Sequence, residues 1–227
     1  MSKIVGDGYS DDIGFPETDI TLVIEDKKIH INKGVLSRHS PVFEALFSGS
    51  TEREITLENK KAKDFVAFLG CFYPNMKKQI TEQNVLQILP LAHEYQSSVV
   101  TDCEKFMQSM CNQGQNLTVT TFLDFILAAE KYDLQNFLDT AVKFCAHVNF
   151  DLLNGRQFER RPVYKGFNYT ERVNKTISLQ CLKIDPKTRL AIAENRLKTL
   201  EMRNRKYTNK DPLDEKDKDI YMYMPLV

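Results

Sequence analysis

The chain lacks several of the features that assign a protein to a compartment or a chemistry. In 227 residues, no apolar run approaches the roughly 18 that a membrane span requires. The first residues, MSKIVGDGYSDD, have neither the basic block nor the apolar block of a signal peptide. Lys and Arg together number 31, as do Asp and Glu, so the net charge is zero. We therefore expect a cytosolic or nuclear protein that is neither secreted nor bound to a membrane.

Metal-binding and catalytic patterns are also missing. The five cysteines are an odd number and are widely spaced, which favours reduced core thiols over a disulfide framework. Cys145 and His147 lie two residues apart, and Cys103 and Cys111 lie eight apart, so neither pair fits a structural zinc set. The sequence contains no nucleophile elbow, no P-loop and no dinucleotide fingerprint. We expect no enzyme activity, no metal and no cofactor.

What the chain does contain is enough apolar material for a core, and an uneven distribution of charge. Apolar residues make up 42%, with 14 Phe and 9 Tyr, which excludes wholesale disorder. Residues 1–154 carry 14 basic and 21 acidic side chains, whereas residues 155–227 carry 17 and 10. This asymmetry indicates either an interaction tail or two segments that attract each other.

The first half reads as a strand hairpin followed by helices. Apolar residues alternate through 20–24 and again through 29–31, which predicts two strands, and Glu54–Leu57 predicts a third. Ser40-Pro41 predicts a helix start, since serine caps free N–H groups and proline at the first helical position gives up a donor that had no partner. Ala62–Phe72 predicts an amphipathic helix, and Thr81 is expected to cap the next one.

A weak repeat links the middle of the chain. Residues 91–95 (LAHEY) resemble residues 128–132 (AAEKY) at an offset of 37, and each copy reads as helix, tight turn and helix. The second pair should stack on the first and extend the core. In the last third, 176–184 alternates like a strand, and Asp185-Pro186 predicts a helix that packs on the protein or a partner through Leu190, Ala193, Leu197 and Leu200.

Residues 156–172 interleave basic and aromatic side chains. Such a pattern can hold phosphates and stack bases, so single-stranded nucleic acid is one interpretation. The zero net charge and the lack of a recognisable RNA module favour the other interpretation, a partner-binding or self-docking segment.

An ordered series of motifs resembles the BTB/POZ domain. It begins with DITLVI at 19–24 and KIHINK at 28–33, and continues with Leu36-Ser37-x-x-Ser40-Pro41-Val42-Phe43. Ile55-Thr56-Leu57, Phe72-Tyr73-Pro74 and Leu89-x-Leu91-Ala92-x-x-Tyr95-Gln96 follow. The Tyr-Pro-Asn ending is similar to invertebrate MATH-BTB and BTB-only proteins, although no MATH domain is present. The structural motif residues are Asp19, His30, Lys33, Leu36, Ser40, Pro41 and Phe43.

The resemblance implies an α+β fold, with a short β-sheet and clustered helices, followed by a helical extension like the 3-box or BACK region. The expected segments are a flexible leader (1–16), the BTB/POZ domain (17–112), the extension (113–154), a basic segment with a C-terminal helix (155–207) and a disordered tail (208–227). We expect a three-stranded sheet with Leu22, Leu36, Phe43, Phe47, Phe65 and Leu69 inside.

The resemblance also implies a protein-interaction function. BTB domains of this kind form homodimers and recruit the cullin-3 scaffold of a ubiquitin ligase, so one hypothesis is a cullin-3 substrate adaptor. The other is a self-associating scaffold or transcriptional cofactor without ligase linkage. The expected partners are a second copy of the chain, cullin-3 and a substrate protein. The candidate cullin contacts are Phe47, Ser50, Glu52, Tyr95, Gln96, Phe122 and Tyr132. Ser50 stands where the family has an apolar anchor.

Overall fold

A computed structural model describes residues 12–14, 18–49, 52–73, 79–113, 117–148 and 168–208. The chain divides into two compact units, Met1–Cys103 and Glu104–Val227. None of the helices in these described ranges combines the length and the apolar composition that a membrane crossing requires. The segment 156–167 and the tail from residue 209 onward, on which two of the predictions above fall, lie outside the described residues.

The first unit contains a four-stranded mixed sheet. Its strands are β1 (Asp12–Gly14), β2 (Ile20–Ile24), β3 (Lys27–Ile31) and β4 (Glu54–Thr56), in the order β1-β3-β2-β4. β2 and β3 form the predicted antiparallel hairpin, in which Leu22 pairs with Ile29. The outer strands β1 and β4 each run parallel to their neighbour.

One face of the hairpin is buried, because the side chains of a strand alternate between the two faces of its sheet. Ile20, Leu22 and Ile24 are buried in β2, as are Ile29 and Ile31 in β3.

The described residues of this unit also include four helices and the start of a fifth. α1 (Lys33–His39), α2 (Pro41–Ser48), α3 (Ala62–Leu69) and α4 (Val85–Glu94) all lie within it, and α5 (Val99–Gln113) crosses the unit boundary. α4 continues through Pro90 without interruption. The six core residues expected from the sequence, Leu22, Leu36, Phe43, Phe47, Phe65 and Leu69, are all buried, which confirms that part of the prediction.

The described residues of the second unit are mainly helical. After α5 it contains α6 (Val119–Lys131), α7 (Gln135–Cys145), α8 (Asn168–Lys183) and α9 (Pro186–Thr208). The buried side chains of α6 are Val119, Phe122, Leu123, Phe125, Ile126 and Ala129. Phe122 faces Phe144 of α7 with ring centroids 5.1 Å apart, so aromatic packing joins these two helices.

The weak repeat has a structural counterpart in two matching helix ends. Gln96 and Asp133, 37 residues apart, both adopt a positive φ, of 47° and 55°. The bonds around them also match: Ser97 donates to Ala92 and Leu134 donates to Ala129, each through backbone atoms 2.9 Å apart. A left-handed residue with this 6→1 bond is the usual way to close an α-helix. The helix-turn-helix form of both copies is therefore confirmed.

Three sequence predictions need correction. Residues 12–14 are not part of an untethered leader, because they pair with β3 and make the sheet four-stranded instead of three-stranded. Thr81 does not cap α4: the helix begins at Val85, and the Asn84 side chain accepts from the Thr81 backbone N–H. Residues 176–183 are helical, not a strand. The apolar stripe of α9, by contrast, is not contradicted: Leu190, Ala193, Leu197 and Leu200 are exposed, so among the described residues they do not pack on the protein, and packing on a partner stays a prediction.

Candidate partner-binding surface

Ser40 fixes the start of α2 and ties it to the end of α4. Its hydroxyl oxygen accepts from the Phe43 backbone N–H at 3.1 Å, which satisfies one of the free donors of a helix N-terminus. The same hydroxyl donates to the Tyr95 backbone carbonyl, and the side chain is 1% exposed. The turn at Tyr95 and Gln96 is therefore held against the first turn of α2.

An aromatic cluster lies beneath this junction. Phe43 stacks on Tyr95 with ring centroids 4.4 Å apart, and Phe47 stacks on Phe43 at 5.7 Å. Phe65, Phe68 and Phe72 complete the cluster around Phe43. Burial raises the pKa of Tyr95, so its phenol stays protonated at any physiological pH. The cluster therefore supports the start of α2 and the turn at Tyr95.

Three of the candidate cullin contacts belong to the core. Phe122 has no exposed surface, Tyr95 is 5% exposed and Phe47 is 7% exposed. A side chain buried to this degree cannot anchor a partner unless it leaves the core. The assignment of Phe47, Tyr95 and Phe122 as direct contacts is therefore corrected: they position their neighbours and do not present a surface.

The other candidate cullin contacts are at least partly exposed or lie outside the described residues. Glu52 and Gln96 are exposed, and Tyr132 is partly exposed beneath the ammonium of Lys131, which lies 5.0 Å from the ring centroid. Ser50, the position of the expected apolar anchor, lies outside the described residues. Glu52 and Gln96 belong to the first unit and Tyr132 belongs to the second.

The remaining motif residues hold the hairpin and α1 in place. The Asp19 carboxylate accepts from the Lys33 backbone N–H at 2.7 Å. His30 Nδ1 lies 2.9 Å from the Thr21 hydroxyl on the paired strand. These contacts give His30 a structural role.

Two further side chains, whose roles the sequence patterns did not predict, support this region. The Asn32 side chain caps α1 by accepting from the Val35 N–H at 3.0 Å, and the Asn32 backbone N–H donates to the Tyr73 hydroxyl at 2.9 Å. Burial raises the pKa of Tyr73. The preference of asparagine for helix N-caps was a usable signal. The Tyr73 contact spans 41 residues and has no local signature.

The cysteines are free thiols, as predicted. Cys103, Cys111 and Cys145 are buried, and desolvation raises the pKa of Cys103 and of Cys111 to about 12. A thiol with so high a pKa holds almost no thiolate at neutral pH and is a poor nucleophile. Within the described ranges, no three His, Cys, Asp or Glu side chains are grouped so that they could hold a metal ion.

Polar contacts attach α8 and α9 to the rest of the second unit. Gln180 donates to the Asp124 carboxylate of α6, where burial raises the Asp124 pKa despite this hydrogen bond. Arg196 Nη1 donates to the carbonyl oxygens of Cys145 and Val148, at 3.3 and 2.6 Å. Asn195 donates to the Val142 carbonyl at 3.2 Å. α9 thus packs on the C-terminal end of α7, where backbone carbonyls lack helical partners.

Comparison with known proteins identifies the domain that contains the sheet. Residues 16–111 match the BTB/POZ domain. BTB and MATH domain-containing protein 38 of Caenorhabditis elegans is 42% identical over 94 residues, which cover 39% of this chain and 24% of that protein. Kelch-like protein 28 of Homo sapiens is 31% identical over 135 residues, which cover 52% of this chain and 23% of that protein.

A third relative shows similarity beyond the domain. Kelch repeat and BTB domain-containing protein 1 of cowpox virus is 27% identical over 146 residues, which cover 62% of this chain and 25% of that protein. Only 15 residues precede the BTB/POZ match, so this similarity must continue past residue 111 into the helices of the second unit. The chain spans about a quarter of the length of these three relatives.

Residues 16–111 are therefore a BTB/POZ domain, and the chain combines this α+β domain with a helical extension. BTB/POZ is a family of protein-interaction domains, so the chain carries a protein-interaction module. Its similarity to the nematode BTB and MATH proteins extends over the BTB region.

Proposed function

We propose that this chain is a homodimerising BTB protein that acts as a substrate adaptor for a cullin-3 ubiquitin ligase. The observation that carries the proposal is the BTB/POZ domain continuing into the paired helices α6 and α7, in a chain similar to kelch-like proteins beyond the domain itself. These helices would correspond to the 3-box or BACK region that enlarges the cullin surface. The segment 155–227 would then select substrates.

The surface that meets cullin-3 would centre on the loop after α2. Glu52 belongs to this loop and is exposed, and the Ser40 cap and the aromatic cluster hold the preceding helix α2 in place. A rigid support lowers the entropic cost of binding. Exposed Gln96 and partly exposed Tyr132 are the remaining contact candidates.

One observation favours a second function, that of a self-associating scaffold or transcriptional cofactor without ligase linkage. The loop carries Ser50 where the family has an apolar anchor, and three other contact candidates are buried. Interfaces depend on a few buried apolar or aromatic anchors. Loss of one such contact, about 1–2 kcal/mol, weakens affinity roughly five- to thirtyfold.

Calorimetry with the purified N-terminal domain of cullin-3 separates these two functions. The adaptor function predicts weak binding by the wild-type chain and binding about five- to thirtyfold tighter by Ser50→Met. Ser48→Met is the matched control, because it adds the same side chain at an exposed position two residues earlier. It should leave the affinity unchanged.

Two results would contradict parts of this proposal. Tight wild-type binding that Ser50→Met leaves unchanged or weakens would show that the loop is wrongly assigned. No binding by wild type or by Ser50→Met would exclude the adaptor function and leave the scaffold.

A further inference from the structure

The exposed apolar stripe of α9 repeats with a seven-residue period. Leu190 and Leu197 lie seven residues apart, and Ala193 and Leu200 follow each of them by three. These are the a and d positions of two coiled-coil heptads. Leu190 and Leu197 are each 60% exposed, although both belong to a well-formed helix. The contacts with α7 are made by other side chains of α9: Asn195, on the face opposite the stripe, and Arg196, at its edge, reach backbone carbonyls of residues 142–148.

Charged residues of opposite sign border the two edges of this stripe. The e positions are Glu194 and Glu201, and the g positions are Arg189 and Arg196. In a parallel pair of helices, each g residue lies beside the e residue five positions later on the partner. Arg189 would then face Glu194 of a second copy, and Arg196 would face Glu201. In an antiparallel pair, arginine would face arginine and glutamate would face glutamate.

We infer that α9 pairs in parallel with α9 of a second copy of this chain through Leu190, Ala193, Leu197 and Leu200. The charge pattern favours a second copy of α9 as the partner, and it favours the parallel orientation. Only in a parallel pair of identical helices do the arginines of each copy face the glutamates of the other. Asn204 continues the heptad at an a position, where asparagine favours parallel dimers in a single register.

Arg196 contributes to two interactions in this arrangement. Its Nη1 is held by the carbonyls of Cys145 and Val148. A guanidinium has five N–H donors in a planar fork, so the group can bind these carbonyls and also lie beside a carboxylate. Arg189 is exposed and is not constrained in this way.

Two heptads are too few for a stable coiled coil on their own. The inference therefore rests on the proposed function in one respect: a dimer formed by the BTB domain would tether two copies of α9 at a high effective concentration. The helix pair would then form within an existing dimer.

Cysteine cross-linking in the full chain tests this pairing. Leu190→Cys and Leu197→Cys should each give a covalent dimer under mild oxidation, because facing core positions of a parallel pair bring like residues within disulfide reach. Met202→Cys is the matched control: Met202 is 61% exposed on the same helix but lies outside the a/d stripe. We expect roughly ten times more covalent dimer from Leu197→Cys than from Met202→Cys. The parent chain measures the background from its native thiols.

Light scattering on the same samples measures the mass in solution, which separates failure of the α9 pairing from failure of the proposed BTB dimer. A dimeric mass without cross-linking at residues 190 and 197 would overturn the pairing and leave the proposed BTB dimer intact. Cross-linking at only one of these two positions would indicate an antiparallel crossing and would also overturn it.

Two further outcomes concern the occupant of the stripe. If cross-links appear only after residues 220–227 (IYMYMPLV) are deleted, that apolar segment covers the stripe and the second copy does not. A monomeric mass would overturn both the pairing and the proposed homodimer.

Discussion

The Ser40 hydroxyl donates to the backbone carbonyl of Tyr95, 55 residues later in the chain, while it accepts from the N–H of Phe43. One buried side chain therefore caps α2 and fixes the turn that ends α4. The aromatic rings of Phe43 and Tyr95 stack directly beside this bond. This junction supports the loop and the turn where we propose that partners bind.

Ser40→Ala should lower the free energy of unfolding by about 1–3 kcal/mol, because it removes a helix cap and leaves a buried carbonyl without its donor. Urea denaturation measures the effect. Ser48→Ala, on an exposed serine at the end of the same helix, should change stability by less than about 0.5 kcal/mol. Equal effects from the two variants would show that the Ser40 contacts are not stabilising.

Gln96→Gly should stabilise the protein by about 0.5–1 kcal/mol, since a left-handed backbone is strained for any residue with a Cβ. The same substitution at exposed Gln87, inside α4, should destabilise by about 1 kcal/mol. Thermal unfolding of both variants checks this difference in sign. Loss of stability in Gln96→Gly would mean that contacts of the glutamine side chain outweigh the backbone strain.

Glu104 anchors the start of α7. Its Oε1 accepts from the Phe137 N–H at 2.9 Å, and its Oε2 accepts from the Asn136 side chain at 3.2 Å, in a helix whose N-cap Leu134 has no capping side chain. Glu104→Leu should cost about 1–3 kcal/mol, because a buried donor loses its acceptor. Glu104→Gln keeps one acceptor oxygen and should cost less. A larger loss in Glu104→Gln than in Glu104→Leu would contradict this role.

The buried thiols should make alkylation selective. In the native chain, iodoacetamide should modify only the partly exposed Cys71 and Cys181 at an appreciable rate, whereas all five cysteines should react in denaturant. Mass spectrometry counts the adducts. Modification of Cys103, Cys111 or Cys145 as fast as Cys71 would contradict the described burial.

The same thiols give stability a pH dependence. The pKa values of Cys103 and Cys111 rise to about 12 in the fold, above the usual 8.5 of an unfolded cysteine. The unfolded state therefore loses protons first as the pH rises. Each thiol should lower the free energy of unfolding by about 1.4 kcal/mol per pH unit between roughly pH 8.5 and the folded-state pKa of about 12, and should have no effect below roughly pH 8.5. Cys111→Ala should show a smaller decline with pH than the parent chain.

The sequence predicted the elements that have local causes. Ser40-Pro41 predicted the start of α2, because a capping side chain and a proline at the first helical position both act within one helical turn. Asp185-Pro186 predicted the start of α9 for the same reason. The alternation of 20–24 also predicted β2, because one face of the hairpin is buried. The family motifs predicted the domain, because their order along the chain is specific to it.

The sequence predictions that were wrong or incomplete concern features with non-local causes. Residues 176–184 alternate only if Leu179 counts as an inward residue, yet Leu179 is 50% exposed; the buried positions are Ile177 and Ile184, seven apart, which suits a helix. α9 packs through polar contacts to carbonyl oxygens of residues 142–148, so its apolar stripe was a misleading guide to its buried face. β1 is three residues long and pairs with a distant strand, which leaves no local pattern.

The measurement that tests the account most directly is the mass of the full chain in solution. The proposed BTB dimer predicts, by multi-angle light scattering at tens of micromolar, twice the 26.3 kDa of one chain. An interface of this kind should bury roughly 1,200 Å² or more, so the dimer should persist on tenfold dilution. A mass of 26.3 kDa at tens of micromolar would contradict the account.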